Sequence, residues 1–212
     1  MKHTGRITLY LILPVLVFMT CLWSVEKTRL DAERFFSKAT ILRVDRSTMG
    51  DVLALVKVSG GTSYGFEPCI RGERGCIGTI YFENHLLRYL HIAPRTAFGA
   101  RFGIEQSKLT NVWFMMYSIN RNYDWEAFVD EGDHLWDGKS FTFKMFSGPA
   151  AGWSFGILMS PDTPNDIRKL AYNFNFACLT KIGACKTHEE MLPILNRKDL
   201  VGPHPEVLNP NG

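Results

Sequence analysis

The sequence predicts an α+β fold: an N-terminal transmembrane helix, an αα-hairpin packed on an antiparallel β-meander of five or six strands, and C-terminal helices. Three observations predict it. Residues 7–25 carry no charged side chain. Apolar residues recur at helical spacing after that stretch and again beyond Thr163. Between those regions, short runs rich in aromatic and β-branched residues are separated by turn signals.

From Ile7 to Val25 the chain reads ITLYLILPVLVFMTCLWSV. As a helix rising about 1.5 Å per residue it spans roughly 28 Å, close to the hydrocarbon thickness of a bilayer. Backbone polar groups in lipid are satisfied only within the segment, so helix is expected despite Pro14. Tyr10 and Trp23 stand near its two ends, where amphipathic rings favour the interface. The exit, TCLWSV, lacks the small-residue pattern of a cleaved secretory signal, and Phe18-Met19-Thr20 is a poor lead into a lipidated Cys21. The expectation is an uncleaved anchor contacting the lipid bilayer through residues 7–25, with residues 1–6 cytoplasmic. Lys2 and Arg6 favour that orientation, and Lys27, Arg29, Arg34 and Lys38 weaken the asymmetry.

Residues 26–200 are expected to form one extracytoplasmic α+β domain, and 201–212, with three prolines, a flexible tail. Apolar residues at 46% and charged residues at 21% fit a globular domain. Lys and Arg number 24 against 21 acidic residues, and two of the cations precede the anchor, which leaves the domain nearly neutral. That balance argues against a nucleic-acid partner.

Leu30, Phe35, Phe36, Ala39 and Leu42 mark a helix continuing from the anchor. Thr48, three residues before Asp51, makes a capping box for a second helix through Val52, Leu53, Leu55 and Val56, closed by Gly60-Gly61. Residues 62–75 read as loop. Strands are expected over 77–82, 86–92, 96–104 and 112–119, with a turn at Gln106 to Lys108, and over 141–146 and 153–159 around Gly148-Pro149. Thr163 and Pro164 open a further helix, and Thr187 to Leu195 a short last one.

Apart from Cys21, four cysteines form two pairs of equal spacing, Cys69 with Cys76 and Cys178 with Cys185. Three connectivities are open, with the local pairs 69–76 and 178–185 preferred; each would contribute about 2–3 kcal/mol. Reduced structural cysteines and a four-thiolate zinc site are the alternatives, although six intervening residues are more than paired zinc ligands usually have. Disulfides point to an oxidising compartment.

The stretch Val44 to Gly61, VDRSTMGDVLALVKVSGG, resembles the BamE/SmpA-like and β-lactamase-inhibitor-like exported domains. Ser47-Thr48 and Asp51-Val52 fit their turn and helix start, and Asp45 stands where those domains carry Gly. The resemblance implies an αα-hairpin against an antiparallel sheet and binding of other proteins. The stretch from Phe174 through Cys185 resembles C-terminal parts of uncharacterised bacterial membrane-anchored exported proteins, which implies a bacterial envelope location.

The sequence has no hydrolase, zincin, P-loop or dinucleotide motif, so no catalytic residue, metal ligand or cofactor is expected. His85 and His91 share parity on an expected strand and read as a solvated face. The segment from Asp124 to Asp137 interleaves six acidic residues with Trp125, Phe128, Leu135 and Trp136, in an order that is not an EF-hand. It reads as a loop whose Trp125, Phe128 and Trp136 form a candidate protein-binding lip or tuck into the sheet. The function expected is a single-pass protein of the bacterial inner membrane whose extracytoplasmic (periplasmic) domain binds an envelope protein or another envelope component. The alternatives are an anchored hydrolase with a site assembled only in three dimensions, and a cytoplasmic-facing domain with a structural zinc.

Overall fold

In the computed structural model, residues 4–71, 75–119, 124–132, 141–147, 153–197 and 206–208 are described, with side chains over 13–71, 75–119, 124–132 and 154–197. The first helix, α1, runs without interruption over Thr4–Ala39 and contains Pro14. Its two halves differ. Leu13, Leu16, Phe18 and Trp23 are all more than half exposed, whereas Ala32, Phe35, Phe36 and Ala39 are buried. Among the described residues no helix is long and apolar enough to cross a membrane.

A tight connection returns the chain into α2, Met49–Lys57. Asp45 sits there at φ 65°, a left-handed conformation that a short polar side chain tolerates and Gly adopts freely. The expected capping box forms: Asp51 N–H donates to Thr48 Oγ1 at 3.3 Å, and Thr48 N–H donates to Asp51 Oδ2 at 2.8 Å. Residues 62–71, expected as loop, instead supply a short strand β1, Thr62–Tyr64, and one helical turn α3, Glu67–Ile70.

The remaining strands are β2, Cys76–Glu83; β3, Arg95–Glu105; β4, Lys108–Ile119; β5, Asp124–Gly132; β6, Phe141–Ser147; β7, Trp153–Met159; and β8, Glu206–Leu208. They form one mostly antiparallel sheet in the order β1-β2-β3-β4-β5-β7-β6-β8, six longer strands with a three-residue strand at each edge. The β3–β4 hairpin turns on Gln106 and Ser107, at φ 49° and 64°, the two positive values that a two-residue turn of type I′ requires. Its tip is tied to the helical hairpin, since Met49 N–H donates to the Ser107 carbonyl at 3.0 Å.

Three further expectations are corrected. The meander is antiparallel only through β5: β7 joins β5 in parallel, and β6 lies outside it. The run 86–92 is not a strand but contains the helix α4, His85–Tyr89. Strand β2 already has β1 and β3 as neighbours, so no ladder is open to it, and Asn84 Oδ1 accepts from Leu87 N–H at 3.2 Å to start a helix instead. The expected helix over 187–195 is broken into α6, His188–Met191, and a 3-10 turn, Pro193–Asn196. Leu192 precedes a proline and takes extended-side angles, φ −134° and ψ 88°, which end α6. Of the expected tail, 206–208 is β8, paired with β6, and the rest lies outside the described residues. The helix expected after Thr163 is α5, Asn165–Ala171.

One face of the sheet is the core. Phe82, Phe98, Phe102 and Phe114 meet Phe35 and Phe36 of α1 and Phe176 of a 3-10 turn, Phe176–Leu179. The Phe36 ring lies 5.0–5.9 Å from the rings of Phe98, Phe114, Tyr172, Phe174 and Phe176. Both disulfides form as the preferred local pairs, Cys69–Cys76 joining α3 to β2 and Cys178–Cys185 closing the loop after the 3-10 turn. The four sulfurs are bonded to one another, which leaves no thiolate set for zinc.

Candidate functional site: a tyrosine-lined cleft

The other face of the sheet carries the candidate site. Side chains alternate along each strand, so residues of one parity on β2 to β7 share this face. One register row across the sheet reads Glu83, Ala97, Tyr117, Glu126 and Ser154. The next reads Tyr81, Gly99, Met115, Phe128 and Gly156. In these two rows strand β3 contributes only Ala97 and Gly99, with Tyr81 on β2 and Tyr117 on β4 to either side. A Cβ built at Gly99 would lie 2.7 Å from the Tyr81 ring, so Tyr81 occupies space that any other residue there would fill.

The result is a cleft of about 510 Å³ whose lining includes Tyr64, Tyr81, Glu83, Arg95, Tyr117 and Glu126. Tyr64 to Tyr81 and Tyr81 to Tyr117 are each 6.2 Å between ring centroids, a continuous run of phenols from the edge inward. The Arg95 guanidinium is 5.7 Å from the Tyr117 ring centroid and bridges Glu83 at 3.0 Å. Arg88 of α4 bridges the same carboxylate at 3.0 Å, and His85 Nδ1 stands 3.6 Å from it. Glu126 accepts a 2.7 Å hydrogen bond from Ser154 Oγ. Burial raises the Tyr117 phenol above its ordinary range, with Arg95 opposing and Glu83 reinforcing the shift. Tyr117 therefore enters any interaction here as a neutral donor.

Of the residues singled out in the sequence, Trp125 lines this cleft together with His85, Asp124 and Glu126; the Trp125 ring is 4.7 Å from that of His188 and packs against the core. Phe128 lies within strand β5, 1% exposed, its ring 4.9 Å from Trp113. Trp136 lies outside the described residues. The segment from 124 to 132 is strand rather than loop because its charges are matched by distant residues. Glu126 meets Ser154, Asp130 accepts from Asn111, and Glu131 takes Arg168 and the Tyr172 hydroxyl. His85 and His91 belong to α4 and its end, not to a strand face.

No protein-family model, curated protein or solved structure matches the chain. The site is therefore read from its own chemistry. Ser154, the cleft hydroxyl with a defined partner, donates to a carboxylate rather than to a histidine. Among the described residues no group of three or more His, Cys, Asp or Glu side chains is placed to hold a metal ion. What the cleft offers is flat aromatic surface, one doubly bridged carboxylate and several hydrogen-bonding groups at a sheet end. Tyrosine, tryptophan and arginine are the residue types that dominate protein recognition surfaces.

Proposed function

We propose that this is a single-pass envelope protein of the bacterial inner membrane, anchored by residues 7–25, whose extracytoplasmic domain binds an envelope protein partner in the tyrosine-lined cleft. The observation that carries the binding reading is the run Tyr64–Tyr81–Tyr117 over the small residues Ala97 and Gly99, with Arg95 and Glu83 at its end. A partner side chain laid there meets rings on several sides and a charged rim, the arrangement that concentrates binding energy in few residues. Strand β1 supplies the outer wall with Thr62 and Tyr64 and ends the strand order, so an extended partner segment has a neighbouring backbone to align with.

Two further observations support the location. Two disulfides are what an oxidising compartment permits. The apolar side chains from Leu13 to Trp23 are exposed, a patch that a protein surrounded by water seldom presents.

The test is site-specific photo-crosslinking of the full chain in its membrane, with the photoreactive residue at Tyr64 and, as control, at Val58. A discrete adduct at Tyr64, absent at Val58 and weakened at least several-fold by Tyr81→Ala or Arg95→Ala, is expected. Equal labelling at both positions, or an adduct indifferent to the cleft substitutions, would sink the reading.

A further inference from the structure

A second surface stands where α1 leaves the domain. Tyr89, Leu90 and Ile92 are 82%, 46% and 44% exposed, three large apolar side chains within four residues. They sit on a well-held element. Asn84 caps α4 and also donates from Nδ2 to the Leu179 carbonyl at 2.6 Å, and the Leu87 carbonyl accepts from both Ile92 N–H and Ala93 N–H. Exposure here is therefore a property of a fixed turn.

The place of this turn narrows its partner. Ser24 of α1 shares a recess with His85, Leu86, Arg88, Tyr89 and His91, so α4 lies beside the residue that follows exposed Trp23. The charges agree. Arg88 and Arg95, half-exposed, share the single carboxylate of Glu83, so the turn carries a surplus of positive charge beside its apolar side chains. Aromatic and aliphatic residues flanked by arginine, next to the exit of an apolar helix, match the headgroup region of an anionic membrane.

We infer that the segment from His85 to Ile92 is a second membrane contact, seating Tyr89, Leu90 and Ile92 in the headgroup region of an anionic phospholipid bilayer. This rests on the anchor proposed above, and it sets the geometry of the cleft. His85 and Arg95 line the cleft while Arg88, bonded to the same Glu83, belongs to the membrane turn, so the cleft mouth is held at the bilayer surface. The partner recognised there is one that reaches the membrane surface.

The test uses the full chain carrying Cys21→Ser, reconstituted in vesicles of phosphatidylcholine and phosphatidylglycerol. A fluorophore sensitive to nitroxide is attached to one new cysteine at a time: Tyr89→Cys in the turn, Leu16→Cys in the anchor, and Ile41→Cys at the far end of α1. Strong quenching at position 89 by lipids with a nitroxide near the headgroup, none at 41, and a loss of quenching with Arg88→Glu or without phosphatidylglycerol are expected. Quenching at 16 by deep nitroxides with none at 89 overturns the membrane turn and leaves the anchor standing. Quenching at 89 without any at 16 supports the turn and removes the anchor. No quenching at either overturns both, as does a blue-shifted but unquenched fluorophore at 89 for the turn alone, since another protein surface would then cover it.

Discussion

The ring of Phe36 on α1 stands edge-on to Phe114 at the middle of the sheet, with centroids 5.0 Å apart and planes at 83°. That contact makes one helix serve two environments. From Leu13 to Trp23 it presents apolar side chains outward, and from Ala32 to Ala39 it lies in the domain core. Four further rings close around Phe36, so nothing nearby can collapse to fill its space. Phe36→Ala is expected to cost about 3–5 kcal/mol of unfolding free energy, the upper range for a buried aromatic. Urea denaturation followed by tryptophan fluorescence measures it. A loss below about 1 kcal/mol would mean that α1 is only docked on the domain.

Inside the apolar layer, Glu131 of β5 is paired with Arg168 of α5, both side chains nearly fully buried. Removing one partner leaves the other charge without compensation, so Glu131→Leu or Arg168→Met is expected to cost about 3–5 kcal/mol. The double variant Glu131→Leu with Arg168→Met removes both charges and is expected to recover most of that loss. A double-mutant cycle in denaturant is the measurement. If the double variant loses the sum of the two single losses, the pair is not coupled as the geometry requires.

Tyr172 adds a pH dependence to the same group. Desolvation, reinforced by the neighbouring Glu131 carboxylate, lifts its phenol well above the ordinary range. The unfolded chain ionises this phenol first, near pH 10, while the folded protein still holds the proton. Above that pH the unfolded state binds fewer protons, so this contribution to stability is full below it and is lost as pH climbs toward the folded value. Stability is expected to fall more steeply in alkali for the native chain than for Tyr172→Phe. Parallel slopes for the two proteins between pH 9 and 11 would show that Tyr172 ionises as freely as in the unfolded chain.

Acid acts through the helix caps. Hydrogen bonds from the Thr48 backbone and hydroxyl hold the Asp51 carboxyl below its usual range, and Lys181 followed by the Lys186 N–H does the same for Glu190. Both contributions are present above the unfolded carboxyl values, about 4, and disappear as pH falls through the lower folded values. Asp51→Asn is therefore expected to be less stable than the native chain at neutral pH, with the difference shrinking in acid. A deficit that stays constant down to pH 2 would mean that Asp51 does not titrate through its cap.

The capping box was legible in sequence because it is local: Thr48 and Asp51 lie three residues apart and need no other element. The β3–β4 turn was legible for the same reason, as were the 69–76 and 178–185 disulfides, each closed within a short loop. Strand β5 was not. Its acidic residues look solvated in sequence, yet Glu131 is matched by Arg168 and Glu126 by Ser154, partners separated by 37 and 28 residues. The parallel entry of β7 is a long-range choice of the same kind. The cleft was missed because its walls come from separate strands: Ala97 and Gly99 signal nothing until β2 and β4 bring Tyr81 and Tyr117 to either side of them. Gly99, inside strand β3, is the sequence signal that points to a close approach there.

That glycine also separates the cleft from the fold. A Cβ at position 99 would meet the Cδ1–Cε1 edge of the Tyr81 ring at 2.7 Å and Met115 Cγ at 3.3 Å, so the ring, which borders the cleft, must give way. Gly99→Ala is therefore expected to turn the Tyr81 ring into the cleft while changing stability by about 1 kcal/mol or less, because Ala also favours the strand over the unfolded chain. Partner crosslinking from Tyr64 is expected to fall several-fold in that variant. Gly156→Ala is the contrasting change, since its Cβ would lie 2.4 Å from the Phe128 ring, which is 1% exposed and has no open space to enter. It is expected to cost stability by about 1–3 kcal/mol through overpacking. If Gly99→Ala leaves crosslinking intact while the Tyr81 ring moves, the partner does not use the cleft space beside Tyr81. If Gly99→Ala destabilises as strongly as Gly156→Ala, the space under Tyr81 belongs to the packed interior rather than to a binding site.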